Sequence, residues 1–411
     1  MLKKSYLFFI LIFLGIFIRF FAIFIYGDVD ISNEWGILLN NFNNFGVIGI
    51  HVFDGHEVTM KEATENEIVL PSIFMPPFYL FFLIINNLFL KTKLSLFYFT
   101  TISQSLFSVF ASVFLFKILK KYYSYGISIL GFSIYLFFPI NIYAATKISS
   151  IVLQTSFLII FYYYFLELIS QKNKSSVYLF SIISSILLLL RGEFILIFFF
   201  TLFFIFFKTK KIKIVFLSLI TTLILISPYL VRNYLTFNEI VITKSFGYNL
   251  WKGNNLFSEI SGNEEIYDYE MEKNIKDIQA NNLYEVNKDK IYKNFALKNI
   301  SLDPVKYIIN YIKKIFAFIF LEIDSTYPNY YNLFHLIPKL LIGVLSTIGA
   351  LYIFTRKKNN QIYFSLFFLL YVSIFSLFFI LPRYELGVLP IQIILACEVI
   401  ECVFLKLKKF I

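Results

Sequence analysis

Apolar runs long enough to cross a bilayer core of ~30 Å recur along this whole chain, and they leave few folds open to it. They lie near 5–26, 94–116, 126–145, 150–168, 176–190, 193–207, 212–230, 335–355, 361–380 and 384–405. In hydrocarbon every backbone polar group must be satisfied inside the chain, so such runs become helices. A β-barrel would show short alternating segments instead. Composition agrees: 58% of the 411 residues are hydrophobic, against roughly 45–50% in a soluble domain. The expected fold is an all-α polytopic membrane protein with about 10–12 transmembrane helices. The first run carries Arg19 and no small-residue cleavage site follows it, so it reads as a retained signal-anchor, with Arg19 snorkelling.

The net charge of +11 does not imply a nucleic-acid partner, because the lysines cluster at span ends. "KKYYSYG" (120–126), "QKNK" (171–174), "KTKKIK" (208–213), "TRKKNN" (355–360) and "KLKK" (406–409) are basic and lack acids, which marks them as cytoplasmic. The other connections, 27–70, 146–149, 191–192, 231–334 and 381–383, then fall outside. The run 177–207 is interrupted by Arg191-Gly192-Glu193 and reads as a hairpin with its vertex outside. Segment 71–90 is a further candidate span that charge counting does not settle; Pro71, Pro76, Pro77, Asn86 and Asn87 favour a short or re-entrant element over a full crossing. Segment 306–322 reads as a helix lying on the outer surface, and 264–300 as a charged helical stretch. Cys397 and Cys402, five positions apart on one helix, point in different directions and imply no disulfide.

This topology gathers ionisable residues on one face. Asp28, Asp30 and Glu34 follow the first run, and Lys147, Arg191 with Glu193, Arg232 and Arg383-Tyr384 sit at other span ends. An ionisable group at membrane depth usually has a partner or a task. Cations at the outer leaflet can hold a lipid phosphate, and a carboxylate beside them can act as general base on an acceptor. The layout suits transfer of a group from a lipid phosphate to an acceptor outside the cytoplasm. The plainer readings are that Asp28 and Asp30 mark topology, that Arg191 pairs with Glu193, and that Lys147 and Arg232 anchor at the interface. His51, Asp54 and His56 form H-x-x-D-x-H, but no third strong ligand lies close by. No cofactor is expected, and a divalent cation has no motif behind it. Nor is a P-loop evident, which points to an already activated lipid-linked donor.

Four stretches, "RFFAIFIYGDVDISNEWGILLNNFNNFG", "PSIFMPPFYLFFLIINNLF", "SPYLVRNYLTFNEIVITKSFGYNLWKGNN" and "LPRYELGVLPIQIILAC", together with "LLLLRGEF", carry a resemblance. In this order they resemble the GT-C glycosyltransferases of the protein-mannosyltransferase and aminoarabinose-transferase type (glycosyltransferase families 39 and 83 and their bacterial relatives), over nearly the whole chain. The resemblance implies a GT-C-type bundle with an extracytoplasmic first loop and a larger one after about residue 230. It implies a polyprenyl-phosphate sugar donor, a glycan, lipid or protein acceptor, and an inverting transfer of a hexosyl or pentosyl group. It assigns the essential first-loop acid to Asp30, with Asp28 kept as second choice. It implies donor-phosphate contacts from Arg191, Arg232, Arg383 and Lys147. Glu34, Trp35, Glu193, Tyr248, Asn254 and Tyr384 are the implied substrate contacts.

The chain departs from the pattern where Lys147-Ile148-Ser149 replaces a common acid, and "IFMPP" lacks the charged pair of aminoarabinose transferases. The expected organisation is a transmembrane module over 1–230 with first outer loop 27–70, an extracytoplasmic loop over 231–334, and C-terminal transmembrane helices over 335–411. A bacterial inner membrane is the expected location, with the active site on the periplasmic side and membrane lipids as neighbours. A lipid-linked saccharide transporter or flippase, or a surface-polysaccharide polymerase, shares the polytopic layout and the outer arginines.

Overall fold

The computed structural model describes residues 2–29, 31, 33–53, 57–90, 92–170, 175–322, 332–358 and 360–407. Helix α1 (Leu2–Tyr26) leads into a first loop made of α2 (Glu34–Phe45) and strands β1 (Gly49–Phe53), β2 (Glu57–Thr59) and β3 (Ile68–Pro71). Then come α3 (Pro77–Phe89), α4 (Lys93–Tyr122), α5 (Tyr125–Phe137), α6 (Pro139–Ala144), α7 (Ile151–Ile169), α8 (Ser176–Leu190), α9 (Phe194–Thr209) and α10 (Ile212–Phe237). A second loop holds α11 (Phe246–Asn254), α12 (Tyr269–Lys276), α13 (Tyr284–Leu302) and α14 (Pro304–Ile319). The chain closes with α15 (Leu333–Thr355), α16 (Ile362–Ser376), a 3-10 turn (Pro382–Gly387) and α17 (Leu389–Leu407). Among the described residues, α1, α4, α7, α10 and α15 are long and apolar enough to cross a membrane, while α3, α5, α8, α9 and α16 are shorter apolar helices.

The lysine-rich connections gather at one end. Lys121 pairs with Glu167 at 2.6 Å, and Lys358 with Glu398 at 2.5 Å. Ser124 Oγ donates to Glu401 at 2.8 Å, and Tyr122 hydroxyl donates to the Asn360 carbonyl at 3.3 Å. "QKNK" at 171–174 lies outside the described residues. The two loops occupy the opposite end. Here the expected 191–193 vertex joins α8 to α9.

Several spans are shorter or more broken than their hydropathy suggests. The expected span 126–145 is two helices, α5 and α6, because Pro139 cannot supply a donor to continue the first. Arg19 does not snorkel. It is fully buried, and its Nη1 donates to the Leu136 carbonyl at 2.8 Å, filling an acceptor that the end of α5 would leave open. The expected spans 361–380 and 384–405 are helical only to Ser376 and from Leu389. Helix α3 has 13 residues, ~20 Å at ~1.5 Å each, short of the ~30 Å core. Cys397 and Cys402 are free thiols, as the spacing implied.

The first loop also holds a three-stranded antiparallel sheet, ordered β2-β1-β3, which hydropathy did not show. Buried Asn41 ties α2 to it, donating to the Gly49 carbonyl at 2.9 Å and accepting from the Ala63 amide at 2.9 Å. His51 contacts Glu67 at 2.7 Å, while Asp54 and His56 lie outside the described residues.

A buried carboxylate is the centre of the polar contacts that fasten the first loop to the second. Between β3 and α3 the backbone has left the sheet and has not yet begun a helix, so its amides need outside acceptors. Glu285 of α13 supplies them. Its Oε2 accepts from the Ile73 amide at 2.7 Å and the Phe74 amide at 3.0 Å, and Ser72 Oγ donates to it at 2.9 Å. The Lys244 amide donates to the Ile73 carbonyl at 2.9 Å, and Arg232 Nη1 to the Ser72 carbonyl at 3.1 Å. Helix α11 packs so closely on α13 that a Cβ on Gly247 would sit 2.0 Å from the Asp289 carbonyl oxygen.

Glu285→Ala should strand the buried Ile73 amide, at ~1–3 kcal/mol, leave the Phe74 amide only the Ser72 hydroxyl at 3.2 Å, and lower the melting temperature of the detergent-solubilised protein. Glu285→Gln can accept both through its amide oxygen and should melt near wild type. Burial raises the Glu285 carboxyl above its ordinary value. Its contribution to stability is therefore full below the ordinary carboxylate pKa and falls as pH rises through the native value. That slope should be missing in Glu285→Gln, and an unchanged melting temperature in Glu285→Ala would contradict the fastening role.

Candidate functional site

Between the two loops and the helix ends lies a cavity of about 650 Å³. Non-helical backbone at membrane depth is tolerated only where it is buried or lines a cavity, and here the breaks do line one. The segments at 148–150, 190–193 and 379–384 all contribute to its wall. Helices α2, α7, α9 and α11 begin at Glu34, Ile151, Phe194 and Phe246, beside the wall residues Asn33, Ser150, Glu193 and Ser245. Each helix start carries roughly half a positive charge, so the wall favours an anion.

Arg191 ends α8 in extended backbone, with φ −152° and ψ 113°. Its Nε donates to Gln154 Oε1 at 3.0 Å, and Gln154 Nε2 donates to the Tyr371 hydroxyl at 3.2 Å. The Arg191 guanidinium lies 5.2 Å from the Tyr384 ring centre, and that of Arg383 lies 5.7 Å from it. Two guanidinium groups thus attend one ring on the cavity wall. Arg191 and Glu193 form no ion pair within 4 Å, so the local pair that the sequence suggested is not made. Among the described residues, the Nη groups of Arg191 make no hydrogen bond.

Glu34 is the first residue of α2, where a helix start favours its negative charge. Asn33 caps that helix, accepting from the Gly36 amide at 3.2 Å, and donates to the Ile148 carbonyl at 3.0 Å. Trp35 is buried and packs edge-on against Tyr79 at 5.0 Å, which fixes the helix start against α3. On the facing wall, Lys252 donates to Glu264, and Tyr248 stands beside that pair. Burial opposes ionisation of Glu264, but the hydrogen bond and charge of Lys252 outweigh it and hold the carboxyl below its ordinary value. Burial, with Glu264 nearby, pushes the Tyr248 hydroxyl well above the ordinary range.

The cavity therefore brings together Glu34, Trp35, Arg191, Glu193, Tyr248, Arg383 and Tyr384. Asp28 and Lys147 form a loose pair at 3.8 Å, one residue beyond the wall at Ile148. Asp30 lies outside the described residues. Two expected contacts are placed elsewhere. Arg232 turns away to the Ser72 carbonyl and to Asn233 Oδ1 at 2.9 Å, with its guanidinium 4.9 Å from the Phe237 ring centre. Asn254 is buried and donates to the Leu377 carbonyl at 2.8 Å, satisfying the end of α16, while Lys314 donates to its Oδ1 at 3.2 Å. Both are supports of the wall. Gln154, Lys252 and Glu264 were not singled out from the sequence. Gln154, a lone amide within "IVLQTSFLII", was the one with a usable signal. Among the described residues no cluster of three or more His, Cys, Asp or Glu is placed to hold a metal.

The fold is similar to solved structures of one archaeal enzyme. AglB, the oligosaccharyltransferase of Archaeoglobus fulgidus, in complex with an inhibitory peptide and a dolichol-phosphate, aligns with a TM-score of 0.58 at 12% identity. That match covers 99% of this chain and 51% of AglB. The same enzyme tethered to an acceptor peptide containing the NVT sequon aligns with a TM-score of 0.56 at 10% identity, over 99% of this chain and 51% of that one. The chain thus spans about half the length of these relatives. No curated protein matches it in sequence. The pattern of the Alg9-like mannosyltransferase family matches residues 41–257, from α2 through the cavity wall into the second loop. With that match over more than half of its length, and with this fold, the chain belongs to the Alg9-like mannosyltransferase family of GT-C glycosyltransferases.

Proposed function

We propose that the chain transfers a sugar from a polyprenyl-phosphate donor to an acceptor bound at the cavity, on the side of the membrane opposite its lysine-rich end. One observation carries the reading: Arg191 and Arg383 stand together over Tyr384 in a cavity on which helix starts converge. Arginine forks suit phosphate oxygens, and fixed donors here would meet the charge that builds up as the phosphate leaves. The family match favours transfer over transport. The dolichol-phosphate in the AglB complex supports a lipid-phosphate donor, and the family's name makes mannose the first sugar to try.

In the proposed step an acceptor hydroxyl oxygen attacks the anomeric carbon. The bond from that carbon to the phosphate oxygen breaks, and its electron pair leaves with the polyprenyl phosphate. The hydroxyl proton passes to a first-loop carboxylate, Asp30 foremost, with Asp28 and then Glu34 as the alternatives. A single displacement of this kind inverts configuration. The gathering of lysines at the far end supports a periplasmic site in a bacterial inner membrane. A glycan, a lipid or a protein hydroxyl or amide could serve as acceptor in this scheme.

Two experiments test the roles. Transfer of radiolabelled mannose from polyprenyl-phosphate mannose should fall ~10²–10⁴-fold in Asp30→Asn, the range for loss of a general base. Glu62→Gln, in the same loop but with its carboxylate taken up by Asn40 at 2.5 Å, should stay near wild type. Equal small effects in Asp30→Asn, Asp28→Asn, Glu34→Gln and Glu62→Gln would remove the base assignment.

Arg191→Ala and Arg383→Ala should each weaken donor binding by roughly 10–100-fold, the equivalent of ~1.5–3 kcal/mol for a charged hydrogen bond. Arg191→Lys should not restore it, because a point charge cannot keep both the Gln154 contact and a forked phosphate contact. Full donor affinity in Arg191→Ala would contradict the phosphate role.

A further inference from the structure

The 3-10 turn that carries Arg383 and Tyr384 into the cavity wall is pinned by a buried ion pair. Glu385, the next residue, is buried, and its Oε1 meets Lys339 Nζ at 2.5 Å. Lys339 is buried as well, and it donates to the Ala317 carbonyl at 3.0 Å near the end of α14. It stands in α15 directly after Pro338, inside an otherwise apolar stretch of that helix. An ionisable group in such a stretch is costly and usually has a partner or a task.

Stability alone gives little reason for this pair. Two charges taken out of water are expensive, and apolar side chains of similar volume often hold a fold as well or better. Glu322, also buried, repels the Glu385 carboxylate, so the Lys339 ammonium is the counterweight that keeps the turn inside. The other end of the turn is equally constrained. A Cβ on Gly387 would sit 1.9 Å from the Tyr371 hydroxyl oxygen. That hydroxyl accepts from Gln154 Nε2, and Gln154 Oε1 accepts from Arg191 Nε. One turn therefore adjoins both arginines of the cavity. It carries Arg383, and it packs on the hydroxyl whose partner orients Arg191.

We propose that Lys339 is a positioning residue for the donor phosphate. Through Glu385 it fixes the turn, and so where the Arg383 guanidinium stands relative to Arg191 across the Tyr384 ring. Forked recognition of a phosphate depends on that placement, because a guanidinium aimed past the phosphate supplies charge without the paired hydrogen bonds. Lys339 itself touches neither donor nor acceptor in this scheme. The proposal rests on the transferase reading above.

The test is binding of sugar-free polyprenyl phosphate to the full-length protein in detergent, with the melting temperature read beside it. Lys339→Met alone would leave Glu385 as an uncompensated buried charge and could unfold the chain, so the variant used is Lys339→Met/Glu385→Gln, which removes both charges together. It should melt near wild type and bind polyprenyl phosphate about tenfold more weakly, within the range of coupling between residues in one network. In an Arg383→Ala background the same substitutions should cost nothing further, since Lys339 acts through Arg383. A lower melting temperature leaves that comparison intact, because both backgrounds share it. A merely structural pair would lower affinity by the same factor in both backgrounds. That result, or wild-type affinity in the charge-free variant, would overturn the positioning role. A wild type that does not bind polyprenyl phosphate would overturn the donor-site reading and the proposal together, so the two failures are distinguishable.

Discussion

The site depends on one buried carboxylate. Glu285 lies 213 positions after Ser72, yet it accepts the hydroxyl of Ser72 and the amides of Ile73 and Phe74. Those amides belong to backbone between a strand and a helix, and without Glu285 the buried Ile73 amide would be an orphan. Satisfying them fixes α13 against the start of α3. With α13 placed, α11 is drawn in through the close approach at Gly247, and Tyr248 and Lys252 face the first loop. The cavity is the space left between these fastened parts. Hydrophobic burial builds the bundle, but the polar fastening decides where its two loops meet.

The second constraint is the bilayer. A span that stops short exposes carbonyls and amides that lipid cannot satisfy. The end of α16 meets this cost through Asn254, whose amide reaches the Leu377 carbonyl, and through the Ile380 amide, which donates to the Ile260 carbonyl at 2.9 Å. Arg19 does the same for the end of α5. The broken helices therefore have identifiable partners, and the breaks at 190–193 and 379–384 line the cavity. A membrane protein that holds polar groups at the edge of hydrocarbon needs this compromise.

Much of this was legible in the sequence, and the rest was hidden for physical reasons. Arg191-Gly192-Glu193 marked a hairpin vertex because two ionisable residues cannot sit at mid-span without a task, and the vertex is on the cavity wall. The lysine-rich turns marked one end of the bundle for the same electrostatic reason. The sheet of the first loop escaped because its strands have five, three and four residues, too short for an alternation to register. Arg232 and Asn254 were read by their motif, and a motif does not say which way a side chain turns. Arg232 donates to the Ser72 carbonyl, and Asn254 to the Leu377 carbonyl at the end of α16, partners far away in the sequence. Gln154 orients Arg191 from a distant helix, a relation that spacing along the chain could not reveal.

The most direct test of the lipid-phosphate site is photolabelling. A polyprenyl-phosphate mannose carrying a diazirine beside the phosphate would be irradiated with the protein in detergent, and the labelled peptides identified by mass spectrometry. Label concentrated on the segments around 148–150, 190–193 and 381–384, and lost in Arg191→Ala, is the expected result. Label confined to the lysine-rich end around 117–121 and 208–213, and indifferent to Arg191, would contradict the assignment of this cavity as the donor site.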